Sequence, residues 1–363
     1  MGSPEIKFPS YAKLAFVLLS LIIIFTIIYL GQSVLIPLLL ALLFAILLRP
    51  VSAFFNRKLK FPHVIAVLIS VVLFVVFIGG IIVLVSWQVA DMTDDLNKIK
   101  DNLSAHLHHA QFWIKNRFHV SYTKQQNYID HLTQETLKND GEIMGDTLTS
   151  FTDTLVMIVL IPIYTFLILL YRTLFVKFLY EIVDKKNWLI VQDILIQVRT
   201  VVQSYLVGLM IEMGLVAFLT TAGLMIIGVQ YAILLGLITA ILNLIPYIGI
   251  LVAGLITILA TLGSSGEISL IIGIIVTNVV VQLIDNNFIV PKIVGNKVCI
   301  NALVTMVGVI AGGTIAGVAG MILSIPFIAI IKVVFDHIEQ LKPWGLLMGN
   351  SVPDKYVPPT LSA

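Results

Sequence analysis

Apolar residues in this chain fall in long unbroken runs, not in the alternating or one-in-three pattern of a water-soluble domain. A bilayer core about 30 Å thick is crossed by about 20 helical residues. Runs of roughly that length recur at 13–31, 33–48, 62–86, 151–171, 203–228, 231–262, 268–284 and 302–335. They predict an all-α integral membrane protein with about eight membrane segments. Gly31-Gln32 predicts a tight hairpin between the first two, and Pro37 and Pro50 bracket the second. The first run is too long for a signal-peptide core and no small-x-small site follows it, so it reads as a retained helix.

Two polar stretches interrupt the runs. Residues 87–150 space their apolar positions at helical intervals, which predicts a small extramembrane insert of two or three amphipathic helices. Its histidines (His106, His108, His109, His119, His131) have no metal-ligand spacing and read as a surface cluster. Residues 172–202 carry Arg172, Lys177, Lys185, Lys186 and Arg199 beside Phe175, Phe178, Leu179, Ile182 and Trp188, which predicts interfacial amphipathic helices. Arg199, Gln203 and Ser204 mark where that stretch re-enters the membrane. The chain thus divides into N-terminal transmembrane helices (1–86), the insert (87–150), a transmembrane helix with an amphipathic stretch (151–202), a core of broken helices (203–335) and a proline-rich tail (336–363).

Composition agrees. Of 363 residues 59% are hydrophobic and 12% charged, where soluble domains are typically near half apolar and a quarter charged. A net charge of +2 offers no basic field for nucleic acid. The single cysteine, Cys299, rules out an intrachain disulfide.

Charge also sets an expected orientation. Lys7 and Lys13 precede the first run, and Arg49, Arg57, Lys58 and Lys60 separate the second from the third. Both regions are expected in the cytoplasm, as is 172–202. The insert, with nine Asp/Glu against six Lys/Arg, is expected outside. The C-terminal half fits the rule in one of two ways. Four simple crossings leave Lys292 and Lys297 outside. Alternatively 231–262, cut by Pro246-Tyr247-Ile248-Gly249, and 302–335, cut by Gly312-Gly313 and Pro326, are re-entrant hairpins. The arms 231–245 and 249–262 reach only about 21–22 Å each, whereas 302–335 as one helix would reach about 50 Å. The hairpin reading puts every lysine of this half in the cytoplasm and makes 203–262 and 268–335 inverted units, a recurrent transporter design. ILNLIPYIGI (241–250) and ILSIPFIAI (322–330) echo one another faintly.

Few residues within the apolar runs carry chemistry. Glu212 lies within LVGLMIEMGLVAFL. A mid-membrane carboxylate costs about 3 kcal/mol unless paired, protonated or wet, so it is a candidate proton or cation site or, more plainly, an interhelical hydrogen bond. Asn243, Pro246, Tyr247 and Gly249 form a helix break in which proline frees a carbonyl and glycine permits the turn. Such a break either binds solute or is a kink. Gln282, Asp285, Asn286, Asn287, Pro291 and Lys292 form a polar knot in which Asp285 and Lys292 are spaced to pair. It reads equally as a solvated capping loop. Gly308, Gly312, Gly313, Gly317 and Gly320 allow close backbone approach, for packing or for a thin gate. The motifs G-x-x-x-x-G-K-[ST], H-E-x-x-H and G-x-S-x-G do not occur, so the sequence predicts neither an ATP-driven motor nor an enzyme, and no cofactor or metal is expected.

LGLITAILNLIPYIGILVAG and QLIDNNFIVPKIVGNKVCINALVTMVGVIAGGTIAGVAGMILSIPFIAIIKVV resemble the autoinducer-2 exporter family, and the layout resembles it over nearly the whole chain. Where that family often has Arg-Gly-Gln, this chain has Val207-Gly208-Leu209, and Glu212 replaces an apolar residue. The resemblance implies a secondary transporter or exporter of the bacterial cytoplasmic membrane, working as a homo-oligomer on a small solute or ion. Some members are linked to export of autoinducer-2 and others resemble sodium or lithium/proton antiporters. Both readings stay open, beside a third in which a non-transporting scaffold binds a partner through 87–150.

Overall fold

A computed structural model of the chain describes residues 9–94, 157–246, 248–265, 267–293 and 300–350, with scattered positions between 101 and 121. Most of the insert with its five histidines, Tyr247, Lys297, Cys299 and the tail from 351 lie outside the described residues. Every described element is helical: α1 (Ser10–Leu30), α2 (Gln32–Arg57), α3 (His63–Asp94), α4 (Met157–Leu170), α5 (Arg172–Ile182), α6 (Trp188–Ile226), α7 (Ala232–Leu242), α8 (Ile248–Ser265), α9 (Ile268–Ile284), α10 (Ala302–His337) and α11 (Lys342–Met348). Five stretches are long and apolar enough to cross a membrane, and α4 with α5, bent by 64°, makes a sixth. The all-α membrane architecture stands.

Several boundaries differ from those read in the sequence, each for a physical reason. The hairpin expected at Gly31 is a one-residue break. The Gly31 N–H still donates to Ile27 O at 2.9 Å, and its carbonyl accepts from Val34 and Leu35, so the hydrogen-bond ladder passes through. Helix α2 does not stop at its prolines but includes both. The span expected to begin at 203 begins at Trp188, because no glycine or proline occurs from there to Gly208. Only α5 is a separate amphipathic helix. It ends where Val183 turns extended, and the Trp188 indole N–H, donating to Tyr180 O at 3.0 Å, holds the bend.

The C-terminal half forms two helical hairpins against α6. The first is α7–α8, which turns after Asn243 through Pro246. At its base Ala232, Leu235 and Ala260 pack with Leu224 of α6, Ile274 of α9 and Met92 of α3. Asn102 of the insert donates to Gly263 O at 2.9 Å. This base therefore lies at the insert end of the bundle.

The second hairpin is α10 itself. Ala316 and Gly317 leave helical geometry, with Gly317 at φ +56°, ψ −142°. That conformation is close to forbidden for any side chain, and here it folds the chain back. A Cβ on Gly312 would meet Ser324 and Gly320, and one on Gly308 would meet Ile328. The Ser324 hydroxyl lies 2.8 Å from Gly308 O and 2.6 Å from Gly320 O. A continuous helix would hold residues 308 and 324 about 24 Å apart. The base of this hairpin sits beside the start of α6, with His337 Nε2 3.1 Å from Asp193 Oδ2. Helix α11 closes it: the Asn301 amide donates to Leu347 O and Gly349 O, while its Oδ1 caps the Val304 N–H. The two hairpins thus enter the bundle from opposite ends, and their tips converge midway along α6.

Candidate functional site

The α7–α8 tip meets α6 at Glu212, and the α10 tip packs about a turn earlier, against the cluster of Tyr205, Leu206 and Leu209. On α6 Glu212 lies 13 residues after Arg199 and 14 before Ile226, or about 20 Å from each at 1.5 Å per residue. Glu212 is 8% exposed and Asp285 3%. Isolated buried carboxylates would be strongly unfavourable, and the structure joins them through one side chain. Asn243, at the tip of α7–α8, donates from Nδ2 to Glu212 Oε1 at 3.2 Å and to Asp285 Oδ2 at 3.5 Å. Asp285 Oδ1 is buried and has no hydrogen-bond partner. Three residues that the sequence shows 31 and 42 positions apart thus form one acidic site.

Local backbone chemistry places each group. The tip is a series of tight turns: the Ile245 N–H donates to Leu242 O at 2.9 Å and the Gly249 N–H to Ile245 O at 3.0 Å. A Cβ on Gly249 would collide with the Leu242 carbonyl, so glycine is required there. Pro246 follows in the turn and supplies no donor, which leaves Asn243 as the polar group of the tip among the described residues.

Asp285 opens a π turn, Asp285–Ile289, between α9 and a last helical turn, Val290–Ile293. Pro291 lacks the N–H that would continue the ladder, and the wider turn before it accommodates the ring. The polar knot is therefore helix, not a capping loop. Asn287 donates to Leu283 O at 2.8 Å and Gln282 to Asn286 Oδ1 at 3.1 Å, both on the exposed face. Of the knot only Asp285 enters the site. Asn286, Asn287, Pro291 and Lys292 are exposed, and the pairing of Asp285 with Lys292 suggested by their spacing does not form.

The remaining candidates sort by distance. Gly308, Gly312, Gly313 and Gly320 form the seam between the arms of α10, and Gly317 is its tip. None touches the carboxylates, but the alanines flanking the tip pack about one turn of α6 away. Ala316 and Ala319 pack with Leu244, Tyr205, Leu209 and Leu323 in a cluster that also holds Ile36 and Leu43 of α2. This cluster seals the site toward the start of α6. Val216, Ala240 and Val281 seal it on the other side. The sequence reading passed over Ser324, the seam's hydroxyl. A lone serine in ILSIPF, in a run rich in glycine, was the available signal. Among the described residues no group of three or more His, Cys, Asp or Glu stands close enough to hold a metal ion.

The arrangement has one clear chemical property. Both carboxylate oxygens lie close to the same nitrogen, so they stand within about 7 Å of each other. Two full charges at that separation repel by about 2 kcal/mol at an effective dielectric of 20. A proton on either carboxyl, or a monovalent cation between the two, would remove that repulsion.

Comparison with known proteins gives the family. Residues 18–340 match the family described as AI-2E family transporter. YrrI of Bacillus subtilis is 25% identical over 86% of this chain and 88% of its own length. YueF of the same organism is 25% identical over 84% of each chain, and YhhT of Escherichia coli K12 is 22% identical over 94% and 95%. Each carries a name that makes it a candidate transport protein.

Proposed function

The chain belongs to the AI-2E transporter family, and on that premise we propose that it is an ion-coupled secondary transporter whose coupling site is Glu212, Asn243 and Asp285. The observation that carries this reading is the shared amide: a tip residue of a broken helix holds two buried carboxylates halfway along α6. Charge alternates at such a site only if a cation enters and leaves. The hairpins supply the means, since one tip ends at the site, the other about a turn of α6 away, and each base lies at a different end of the bundle. Parting the seal around Leu209, Leu244 and Ala316 would open the site toward the start of α6. Parting that of Val216, Ala240 and Val281 would open it toward the insert.

The exported solute in this reading is small and polar, with autoinducer-2 the candidate that the family's name supplies. The membrane is the bacterial cytoplasmic one, with the N-terminus and the bases of α6 and α10 inside, as the distribution of lysine and arginine supports. The largely exposed apolar faces of α1 and α3 support contacts with lipid and with further copies of the chain. A second reading, sodium or lithium/proton antiport, is favoured by the unsatisfied Asp285 Oδ1, which an alkali ion would ligate directly.

Proteoliposomes test both. Export of autoinducer-2 that rises with an imposed pH gradient, and is lost in Glu212→Gln, is the expected result. Flux indifferent to the gradient sinks the coupling. Sodium-dependent dequenching of a pH dye without any organic solute selects the antiporter. Exchange that survives in both Glu212→Gln and Asp285→Asn removes these carboxylates from the mechanism.

A further inference from the structure

Four arginines from three helices converge at the end of the bundle where α2 finishes and α6 begins. Helix packing brings them together. Leu48 of α2 and Leu169 of α4 share a buried cluster, which sets Arg49 beside Arg172 at the start of α5. Leu47 of α2 packs with Val198 and Val202 of α6, which sets Arg49 beside Arg199. The charges of Arg199, Arg172 and Arg57 all act on the Arg49 guanidinium. Arginine stays ionised in any protein setting, so the group repels itself.

Among the described residues no carboxylate is paired with it: Asp184 pairs with Lys186 and Asp193 with His337, and Glu181 makes no ion pair with any of the four. None of the described ion pairs reaches the four arginines. Arg49 and Arg172 are half-buried while Arg57 and Arg199 are exposed, so the group is open from outside.

We infer that Arg49, Arg57, Arg172 and Arg199 bind the phosphate of an anionic membrane phospholipid. Guanidinium groups grip phosphate oxygens in bidentate fashion, and three helices supply them here from different directions. Two observations select a lipid as the source. Exposed apolar side chains flank the cluster, Val51 and Phe54 on α2 and Leu174 and Phe175 on α5, and α5 buries none of its residues. They form a bed for acyl chains. Depth agrees as well: Arg199 stands about 20 Å along α6 from Glu212, and half a bilayer with its headgroups measures about 20–22 Å. A midplane site at Glu212 therefore puts the cluster at headgroup level; this depth argument rests on the proposed function, whereas the convergence of charge does not.

The test uses the full chain in a neutral maltoside detergent, with phosphatidylglycerol, phosphatidylcholine and inorganic phosphate as separate probes. Native mass spectrometry and thermal unfolding read binding. Phosphatidylglycerol is expected to stay bound and to raise the unfolding temperature, at least tenfold more potently than phosphatidylcholine. Arg49→Gln/Arg172→Gln/Arg199→Gln is expected to lose that preference. Lys177→Gln/Lys185→Gln/Lys186→Gln, which removes equal charge nearby, is expected to keep affinity within threefold. If the triple arginine variant does not fold, Arg172→Gln alone is expected to weaken binding about threefold. Equal loss in the lysine variant, equal binding of phosphatidylcholine, or full protection by millimolar inorganic phosphate overturns the proposal. None of these outcomes depends on transport.

Discussion

Replacing Asn243 by alanine removes the side chain that, among the described residues, touches both carboxylates, while leaving the turn's backbone bonds in place. Its contribution follows from the geometry. Hydrogen bonds to charged groups contribute about 1.5–3 kcal/mol. The bonds here, at 3.2 and 3.5 Å, exceed the usual 2.9–3.0 Å, so the lower end applies to Glu212 and less to Asp285. The sum is about 2 kcal/mol. Felt wholly in the occluded state, it corresponds to about a thirtyfold loss of coupled flux. A double-mutant cycle with Glu212→Leu separates this from general damage. Urea unfolding in mild detergent should give a coupling energy of about 1.5 kcal/mol between the two positions, since once Glu212 is gone alanine at 243 removes only the longer bond to Asp285. Effects that add to within about 0.5 kcal/mol would refute the shared-amide account, even if each variant alone were inactive.

Gly317→Ala forces a side chain into φ +56°, ψ −142° and should cost about 1–3 kcal/mol, seen as a lower unfolding temperature; an unchanged transition would mean the tip is not held in this turn. Ser324→Ala removes the hydroxyl that bridges Gly308 and Gly320 carbonyls across the seam. It should lower stability by about 1 kcal/mol and raise hydrogen exchange in both arms of α10 together, whereas protection lost in one arm alone argues against a paired hairpin. In a background without Cys299, Lys292→Cys should react with an impermeant maleimide only from inside and Ser265→Cys only from outside. The reverse result for both would restore four simple crossings.

What could be read in the sequence follows from how each signal is encoded. Length and hydropathy carry the membrane class, because a bilayer demands a minimum apolar run whatever the packing. Charge on the flanks offers inverted hairpins as one of two readings, and the helices do enter the bundle from opposite ends. Breaks are less legible. Pro246-Tyr247-Ile248-Gly249 shows as a break because proline and glycine are punctuation, yet Pro37 and Pro50 carry the same mark inside one unbroken helix, α2. Gly312-Gly313 looks like the turn of α10, whereas the turn lies at Ala316-Gly317 and the earlier pair forms the seam. A glycine in a helical run is identical on paper whether it turns the chain or admits a neighbour. The Asp285 knot fails for a related reason: Asp and Asn near a proline are ordinary loop residues, and only the wide π turn keeps them helical.

Convergence is the property least visible in one dimension. Glu212, Asn243 and Asp285 were each legible as exceptions to an apolar rule, but nothing in their spacing says that they meet. The structure supplies that link through the asymmetry of its two tips. The α7–α8 tip brings an amide to the acids, whereas the α10 tip brings Ala316 and Ala319 to the neighbouring apolar cluster of Tyr205, Leu206 and Leu209. One tip therefore binds the acids directly, while the other packs beside them along α6. Movement of α10 would then change access to the site without changing its hydrogen bonds, and movement of α7–α8 would do both. If the proposed coupling site holds, an ion bound between Glu212 and Asp285 would compete for the same oxygens that Asn243 holds and would loosen the amide's grip on that tip. The first hairpin would then sense occupancy while the second would gate access, because the acids are hydrogen-bonded by the α7–α8 tip and by no described side chain of the α10 tip.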